Sequence, residues 1–414
     1  MTDTGLVHAC VCLARDENFT RVSLRGTALT SLKGLARVRT LRCIDASLSR
    51  VTSDGLAALA SLPALTRLVL VRCVALSSAL HIGRLTSLED LDVSACPIQD
   101  IAPLSAVRRL ARLRADDTPI ESLGSLATLT NLRWLSLRNV LAPVSEIECL
   151  AVIPTLEHLC LYNANVGEQV DFLSRFSSLG SLDVGCLRVR TADFSAGVPL
   201  LSSLALRHCP LVETILIQRQ WATSLTSLDL LNASLLTDAS VAGLDTLVEL
   251  RTLVLAGTAI TDRTVVDAVS GLAFLQRLDV SNTRVTTLSA LAGSKRPLRM
   301  LRDIRAECCA GISEAGLRGL GHLPFLEVLD VSCTRLRWCT ELATEPWLSL
   351  RELGLRGILR PPTDLAALCR RCMRLQRLDL RGCIHPAFPA VVHEIRQGTR
   401  YLHVCNVDDD NTMM

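Results

Sequence analysis

Apolar residues recur along the chain at one fixed spacing, Leu-x-x-Leu-x-Leu-x-x-(Thr/Cys/Ala)-x-Leu. Clear copies are LEDLDVSACPI (88–98), LQRLDVSNTRV (275–285) and LEVLDVSCTRL (326–336). The alternating apolar positions predict a short β-strand, because successive side chains of a strand point to opposite faces. We count 17 copies, mostly 22 to 26 residues apart. The first buried strand position falls at Val22 in the first copy, Leu41 in the second and Leu402 in the last.

This pattern resembles the leucine-rich repeat family, and the copies extend over almost the whole chain. The resemblance implies an α/β fold, an arc- or horseshoe-shaped leucine-rich repeat solenoid. About 17 parallel strands would form its concave sheet, with helices or short turns on the convex side. The chain would comprise an N-terminal cap (1–18), a repeat region (19–404) and an acidic C-terminal tail (405–414). Shorter repeats would occupy 19–200 and longer ones 201–404.

Two features refine this expectation. Where the family usually places Asn, at the ninth position, small Thr and Cys residues are common. Five cysteines are therefore predicted to pack inward: Cys73, Cys96, Cys209, Cys309 and Cys383. The return segments LTDASVAGLDTLVEL, ITDRTVVDAVSGLAFL and ISEAGLRGLGHLPFL begin with Thr or Ser beside an acidic residue, which predicts capped helices.

Composition fits a folded intracellular protein. Hydrophobic residues make up 49% of the 414 and charged residues 21%, which suffices for a core. The 17 cysteines are scattered and odd in number, which favours reduced thiols and a cytoplasmic location, with a nuclear or cytoskeletal assembly as a variant. No uninterrupted run of about 18 apolar residues exists, so no membrane insertion is expected.

Candidate chemistry is sparse. The chain has no nucleotide-binding glycine loop, no Gly-x-Ser-x-Gly and no His-Glu-x-x-His, so we expect no catalysis, no cofactor and no small-molecule substrate. The best metal candidate combines Cys369, Cys372, Cys383 and His385, four potential zinc ligands within 17 residues. Because Cys383 already occupies the inward repeat position, packing is the preferred interpretation and we predict no metal.

The residues between the strand leucines are expected to face solvent in three columns. Near the middle of the chain these columns collect a set of arginine and aromatic residues: Arg112, Arg114, Trp134, Arg138, His158 and Tyr162. Trp, Tyr and Arg most often dominate the energetics of protein interfaces, so this set predicts a partner-binding site. In the alternative interpretation Trp134 lies over neighbouring arginines and contributes only local packing.

A second set lies in the middle column, where aspartate occupies every second copy from the eighth repeat onward. The set includes Asp279, Asp330 and Asp379, and Tyr401 adds an aromatic side chain on the last strand. Neighbouring carboxylates of the set would lie about 10 Å apart, two strand spacings. The aspartates either recognise a partner or form ion pairs with arginines such as Arg277 and Arg377.

These observations favour a non-catalytic scaffold that binds a protein partner on the concave face, as a subunit of a larger intracellular assembly. The alternative is a regulatory or substrate-recognition subunit of an enzyme, such as a phosphatase regulator or a ubiquitin-ligase receptor. Nucleic acid is not expected, because the net charge is only +3 and acidic residues interrupt the basic columns.

Overall fold

The computed structural model describes residues 5, 19–164, 166, 170–194, 198–217, 219–293, 298–337, 340, 342–359, 364–399 and 402–405. The chain forms two compact units. The first comprises Met1–Leu187 and Phe194–Leu201, and the second Arg188–Asp193 and Ser202–Met414.

In the first unit, strands of three residues pair in parallel and in chain order. They are β1 (Arg21–Ser23), β2 (Cys43–Asp45), β3 (Arg67–Val69), β4 (Asp90–Asp92), β5 (Arg112–Arg114), β6 (Trp134–Ser136), β7 (His158–Cys160) and β8 (Ser181–Asp183). The central residue of each strand from β2 to β8 is buried, because the leucine pattern directs it inward.

The second unit repeats this arrangement, with one addition. Its main strands also pair in chain order: β10 (Ser203–Ala205), β12 (Ser227–Asp229), β13 (Thr252–Val254), β14 (Arg277–Asp279), β15 (Asp303–Arg305), β16 (Val328–Asp330), β17 (Glu352–Gly354), β18 (Arg377–Asp379) and β19 (His403–Cys405). A separate parallel pair joins β9 (Thr191–Asp193) to β11 (Thr214–Leu216), which the leucine pattern does not predict. The predicted number of about 17 repeat strands is confirmed in the described residues.

Short helices connect the strands. The described α-helices are α1 (Val144–Cys149), α2 (Asp262–Asp267), α3 (Ala290–Gly293), α4 (Glu314–Leu317), α5 (Leu365–Arg371) and α6 (Phe388–Gly398). The 3-10 helices are Lys33–Arg37, Asp54–Ser61, Ile82–Arg84, Ala102–Ala106, Gly124–Thr128, Leu150–Val152, Asp171–Arg175, Arg219–Thr223, Leu244–Thr246, Val269–Gly271, Leu320–His322 and Leu342–Thr344.

The three predicted capped helices have different outcomes. One is confirmed, because the Thr261 side chain accepts a hydrogen bond from the backbone N–H of Arg263 at the start of α2. The helix α4 is present, but Ser313 makes no side-chain cap hydrogen bond. The first prediction is wrong, because 238–243 forms turns and only a single 3-10 turn follows.

Leucines of the repeat form the core, and the ninth position closes it. Leu68, Leu113, Leu135 and Leu278 are 0% exposed, as expected for side chains whose burial stabilises by about 2 kcal/mol each. All five cysteines predicted to pack inward are buried.

Threonine and cysteine use the ninth position differently. The hydroxyl of Thr258 donates to the Leu255 carbonyl in its own repeat, at 2.6 Å. The thiol of Cys309 donates instead to Val280 O of the preceding repeat, at 3.1 Å, and that of Cys383 to Leu355 O at 3.2 Å. Thr27, Thr118, Thr283 and Thr334 behave like Thr258, and Cys73 and Cys96 behave like Cys309. Cys209 is an exception, because its thiol donates to Arg207 O of its own repeat at 3.4 Å.

The strand positions at the two ends of the repeat array differ from the prediction. The residue paired with Val22 is Ile44 and not Leu41, which precedes β2. At the other end Leu378 pairs with Val404 and not with Leu402. Both predictions were wrong because another apolar residue lies shortly before the paired position, Leu41 three residues before Ile44 and Leu402 two residues before Val404. Pairing with the neighbouring strand selects the later residue.

Candidate functional site

Strands β5, β6 and β7 bring the predicted arginine and aromatic residues together in the first unit. Parallel pairing aligns Arg112 with Trp134 and Trp134 with His158. Adjacent strands lie about 4.8 Å apart, so these three residues form one outward row. The predicted adjacency is therefore present.

Trp134 is half-buried, and its ring is contacted by two arginines of β5. The guanidinium carbon of Arg114 is 5.0 Å from the centroid of the indole ring, and that of Arg112 is 6.0 Å away. Both distances are within the range of cation–π attraction, about 0.5 to 1 kcal/mol at an exposed site. The local packing proposed as the alternative role of Trp134 is thus real, although it leaves part of the ring open to solvent.

Two aspartates of β4 also contact these arginines. Arg112 Nη1 lies 3.5 Å from Asp90 Oδ2, and Arg114 Nη1 donates to Asp92 Oδ2 at 3.2 Å. Asp90 and Asp92 are themselves column residues, so acids orient the guanidinium groups against the indole. Both arginines nevertheless keep about half of their side-chain surface exposed, at 56% and 47%.

A second stacked pair lies one strand further on. The guanidinium carbon of Arg138 is 4.9 Å from the centroid of the Tyr162 ring, and within the described residues Arg138 has no ion-pair partner. A hydrogen bond with Cys186 and partial burial raise the pKa of the Tyr162 hydroxyl, so it stays protonated and able to donate. Arg138 is thus an exposed cation on an aromatic platform.

We call Arg112, Arg114, Trp134, Arg138 and Tyr162 the aromatic cluster. His158 is exposed at its margin, next to Trp134 in the register. The cluster can stack an apolar or planar group and pair with a carboxylate.

The aspartates of the second unit accept hydrogen bonds from the backbone two residues further along the chain. One carboxylate oxygen of Asp279 accepts the backbone N–H of Ser281 at 3.0 Å, and Asp330 does the same for Ser332 at 3.0 Å. Asp379 accepts from the Arg381 backbone N–H at 3.2 Å. The same contact recurs at Asp45, Asp92, Asp183 and Asp229. Sequence analysis missed this role, although the signal is a repeated strand-terminal aspartate.

One of the two predicted ion pairs in this column is present, because Arg377 Nη2 lies 4.0 Å from Asp379 Oδ2. The other is absent. Arg277 pairs with Asp303, at 3.5 Å, and not with Asp279. Asp379 was expected to face solvent but is 9% exposed. Burial opposes its ionisation, yet hydrogen bonds and charge from Arg381, with a further contribution from Arg356, hold its pKa below the ordinary value. Tyr401, the remaining predicted residue, lies outside the described residues.

A polar depression of about 200 Å³ lies beside these residues on β15 to β18. Arg356 crosses it, donating to Glu307 at 2.5 Å. Burial and the charge of Asp330 raise the pKa of Glu307, with Arg356 opposing the shift. The arginines and acids that line the depression largely neutralise one another, so it offers no strong field to a ligand.

In the described part of the chain, no group of three or more His, Cys, Asp or Glu side chains is arranged to hold a metal ion. Cys369 and Cys372 are buried, and burial raises the pKa of Cys372 to about 12, which disfavours the thiolate that zinc requires. The cysteines in the described part of the chain form no disulfide bonds. None of the described helices is long and apolar enough to cross a membrane.

By sequence, the chain matches no protein-family model and no curated protein. By structure it is similar to a leucine-rich repeat protein of Leptospira interrogans, with a TM-score of 0.65 and 18% identity over 95% of this chain and 97% of the other. The internalin InlF of Listeria monocytogenes gives 0.57 and 18% over 85% and 94%. TLR13, in the TLR13–ssRNA13 complex, gives 0.54 and 19% over 95% and 58%. With the parallel strands and buried leucines, these similarities show that the chain has the leucine-rich repeat fold.

Proposed function

We propose that this protein is a non-catalytic scaffold that binds a protein partner on the outward face of β5 to β7. The observation that carries the proposal is the aromatic cluster, which places a half-exposed Trp and Tyr beside exposed arginines on adjacent strands and the turns that follow them. Interface hot spots are rich in these three residue types and cluster in this way.

Charge indicates the kind of partner. Arg138 has no acidic partner in the described residues, and Arg112 and Arg114 are half-exposed despite their ion pairs. A partner segment with carboxylates beside an apolar or aromatic residue would complement this surface. Strands β1 to β7 carry more arginine than acid in their columns, which would steer such a segment toward the first unit.

A protein partner is favoured over nucleic acid by the sheet face itself. TLR13 shows that a protein of this fold can be found with RNA, so the fold alone does not decide. In this chain, however, Asp90 and Asp92 interrupt the arginines of the cluster, so a continuous row of backbone phosphates would meet acids there. A single carboxylate of a protein segment can instead pair with Arg138, which has no acidic partner among the described residues. The absence of disulfide bonds among the cysteines of the described residues supports a reducing, cytoplasmic setting.

Affinity purification from native cells tests the proposal. We expect the wild-type protein to retain a partner that Trp134→Ala with Tyr162→Ala loses. Both residues are outward, so the free energy of unfolding should fall by no more than the loss of the stacked pairs, about 1 kcal/mol each. The melting temperature should therefore change little. A matched control, Arg277→Ala with His403→Ala, changes outward residues of the second unit and should retain the partner. Equal capture by all three proteins would refute this site.

A further inference from the structure

The second unit carries a row of exposed apolar side chains that the sheet-face proposal does not use. In six consecutive repeats, the turn before the strand exposes a large hydrophobic residue. We call these residues the edge strip: Val248 (44% exposed), Phe274 (46%), Met300 (37%), Phe325 (46%), Leu348 (61%) and Met373 (93%).

Register aligns the strip. Phe274, Met300 and Phe325 each lie three residues before the first residue of β14, β15 and β16, and these strands pair in register. The other three residues lie four positions before β13, β17 and β18. With strands about 4.8 Å apart, the six side chains form a single row about 24 Å long.

The strip is not a general property of the repeat. At the position three residues before the strand, β4 to β7 of the first unit have polar residues: Ser87, Arg109, Asn131 and Thr155. Only 3% of the chain is aromatic, yet Phe274 and Phe325 are both nearly half exposed. Aligned apolar side chains left open to water typically mark a contact surface.

Basic residues flank the strip. Arg251, Arg299 and Arg374 are exposed and have no ion-pair partner among the described residues. Of the acids near the strip, Glu327 is neutralised, because Arg302 donates to it at 2.8 Å and Arg351 lies 3.9 Å away, whereas Glu249, next to Val248, is partly exposed. Arg302 also lies 5.7 Å from the Phe325 ring and holds it in place.

We propose that the edge strip binds an amphipathic α-helix with acidic flanks, supplied by a partner protein. The helix pitch of about 5.4 Å is close to the strand spacing, so one apolar residue per turn can meet one strip residue per repeat. A row of about 24 Å accommodates a helix of about 16 residues. The single-file geometry fits a helix, which presents about one apolar residue per turn, better than the broad surface of a membrane. This site is distinct from the aromatic cluster.

The test uses the full chain and three labelled peptides of about 16 residues. The first has leucines at i, i+4, i+7, i+11 and i+14 with glutamate flanks, the second replaces glutamate by lysine, and the third scatters the leucines. Fluorescence anisotropy should show binding of the acidic helix, at least about tenfold weaker binding of the lysine peptide, and none of the scattered one.

Variants connect binding to the strip. Phe274→Ser with Phe325→Ser should weaken binding of the acidic peptide at least about tenfold, while Ile384→Ser, at an 85% exposed apolar residue outside the strip, should not. Circular dichroism melts confirm that both variants fold. Arg251→Glu should weaken the acidic peptide and strengthen the lysine peptide.

Several outcomes would overturn the proposal. They are equal binding of the acidic and scattered peptides, no binding of any peptide, and unchanged binding by the double variant. Strip-dependent sedimentation with phosphatidylcholine–phosphatidylserine vesicles instead of peptide binding would assign the strip to a membrane. Strip-dependent dimerisation in analytical ultracentrifugation would assign it to a second copy. Trp134→Ala with Tyr162→Ala should leave peptide binding intact, so this proposal and the proposed function can fail separately.

Discussion

Replacing Asp330 separates a structural role of the middle-column aspartates from a recognition role. Its Oδ1 accepts both the backbone N–H of Ser332, at 3.0 Å, and the Ser332 hydroxyl, at 2.5 Å. The Ser332 oxygen in turn accepts the backbone N–H of Arg356 in the next repeat, at 2.9 Å. One carboxylate therefore organises a chain of hydrogen bonds between two repeats.

The magnitude follows from burial. Ser332 is 0% exposed, so removing its acceptor leaves a buried donor without a partner, which costs about 1 to 3 kcal/mol. The lost bond is also charge-assisted, at the strong end of the usual range. We expect Asp330→Ala to lower the free energy of unfolding by about 2 to 3 kcal/mol and Asp330→Asn, whose amide oxygen still accepts, by less than about 1 kcal/mol.

Urea unfolding followed by circular dichroism measures the global change, and amide hydrogen exchange at Ser332 and Arg356 locates it. Local exchange matters because repeat arrays can unfold in parts. If Asp330→Ala and Asp330→Asn both stay within about 0.5 kcal/mol of wild type, the carboxylate is not structural and our reasoning fails. The aspartates would then be free to serve a partner.

Three further predictions concern the second unit. The pKa of Asp379 is lowered, so its contribution to stability is complete above the ordinary carboxyl pKa, about 4, and is lost as the pH falls through the lowered value. Asp379→Asn should therefore flatten the acid limb of a plot of urea midpoint against pH, and an unchanged slope would contradict this. A Cβ at Gly354 would lie 2.3 Å from Asp330 Oδ1, so Gly354→Ala should lower the free energy of unfolding by about 1 to 3 kcal/mol. Adding Asp330→Ala in the same chain should recover part of this loss, and strict additivity of the two changes in urea unfolding would exclude the clash. Burial and the neighbouring Cys308 raise the pKa of the Cys333 thiol. Because the thiolate is the form that reacts, Cys308→Ala should accelerate iodoacetamide labelling of Cys333. An equal or slower labelling rate by mass spectrometry would contradict this.

The sequence predicts the fold because the same leucine spacing recurs in every repeat, and burial of Leu113 or Leu278 needs nothing beyond that spacing. It predicts strand phase less well at the ends. Leu41 is as buried as Ile44, so the apolar pattern alone cannot tell which of them lies within the strand. Hydrogen bonding to β1 selects Ile44.

The sequence predicts which residues of the candidate site lie next to each other, but it does not predict which side chains contact each other. Period-two alternation and the repeat spacing place Trp134 beside Arg112 and His158. Whether an arginine stacks on the indole or reaches an acid depends on side-chain rotamers, and Arg114 does both. The edge strip escaped notice because Phe325 precedes a pattern leucine, where an apolar residue reads as one more core position. Comparing that position across repeats would have found it.

Most cysteines at the ninth position bond to the preceding repeat and the threonines bond within their own, and this difference affects the cooperativity of unfolding. In a one-dimensional array, stability is the sum of an intrinsic term for each repeat and a coupling term for each interface. Thr258 bonds within its own repeat and so adds to the first term, while Cys309 and Cys383 bond to the preceding repeat and add to the second. Exchanging one residue for the other would therefore shift where the array divides as it unfolds, even if its total stability stayed the same.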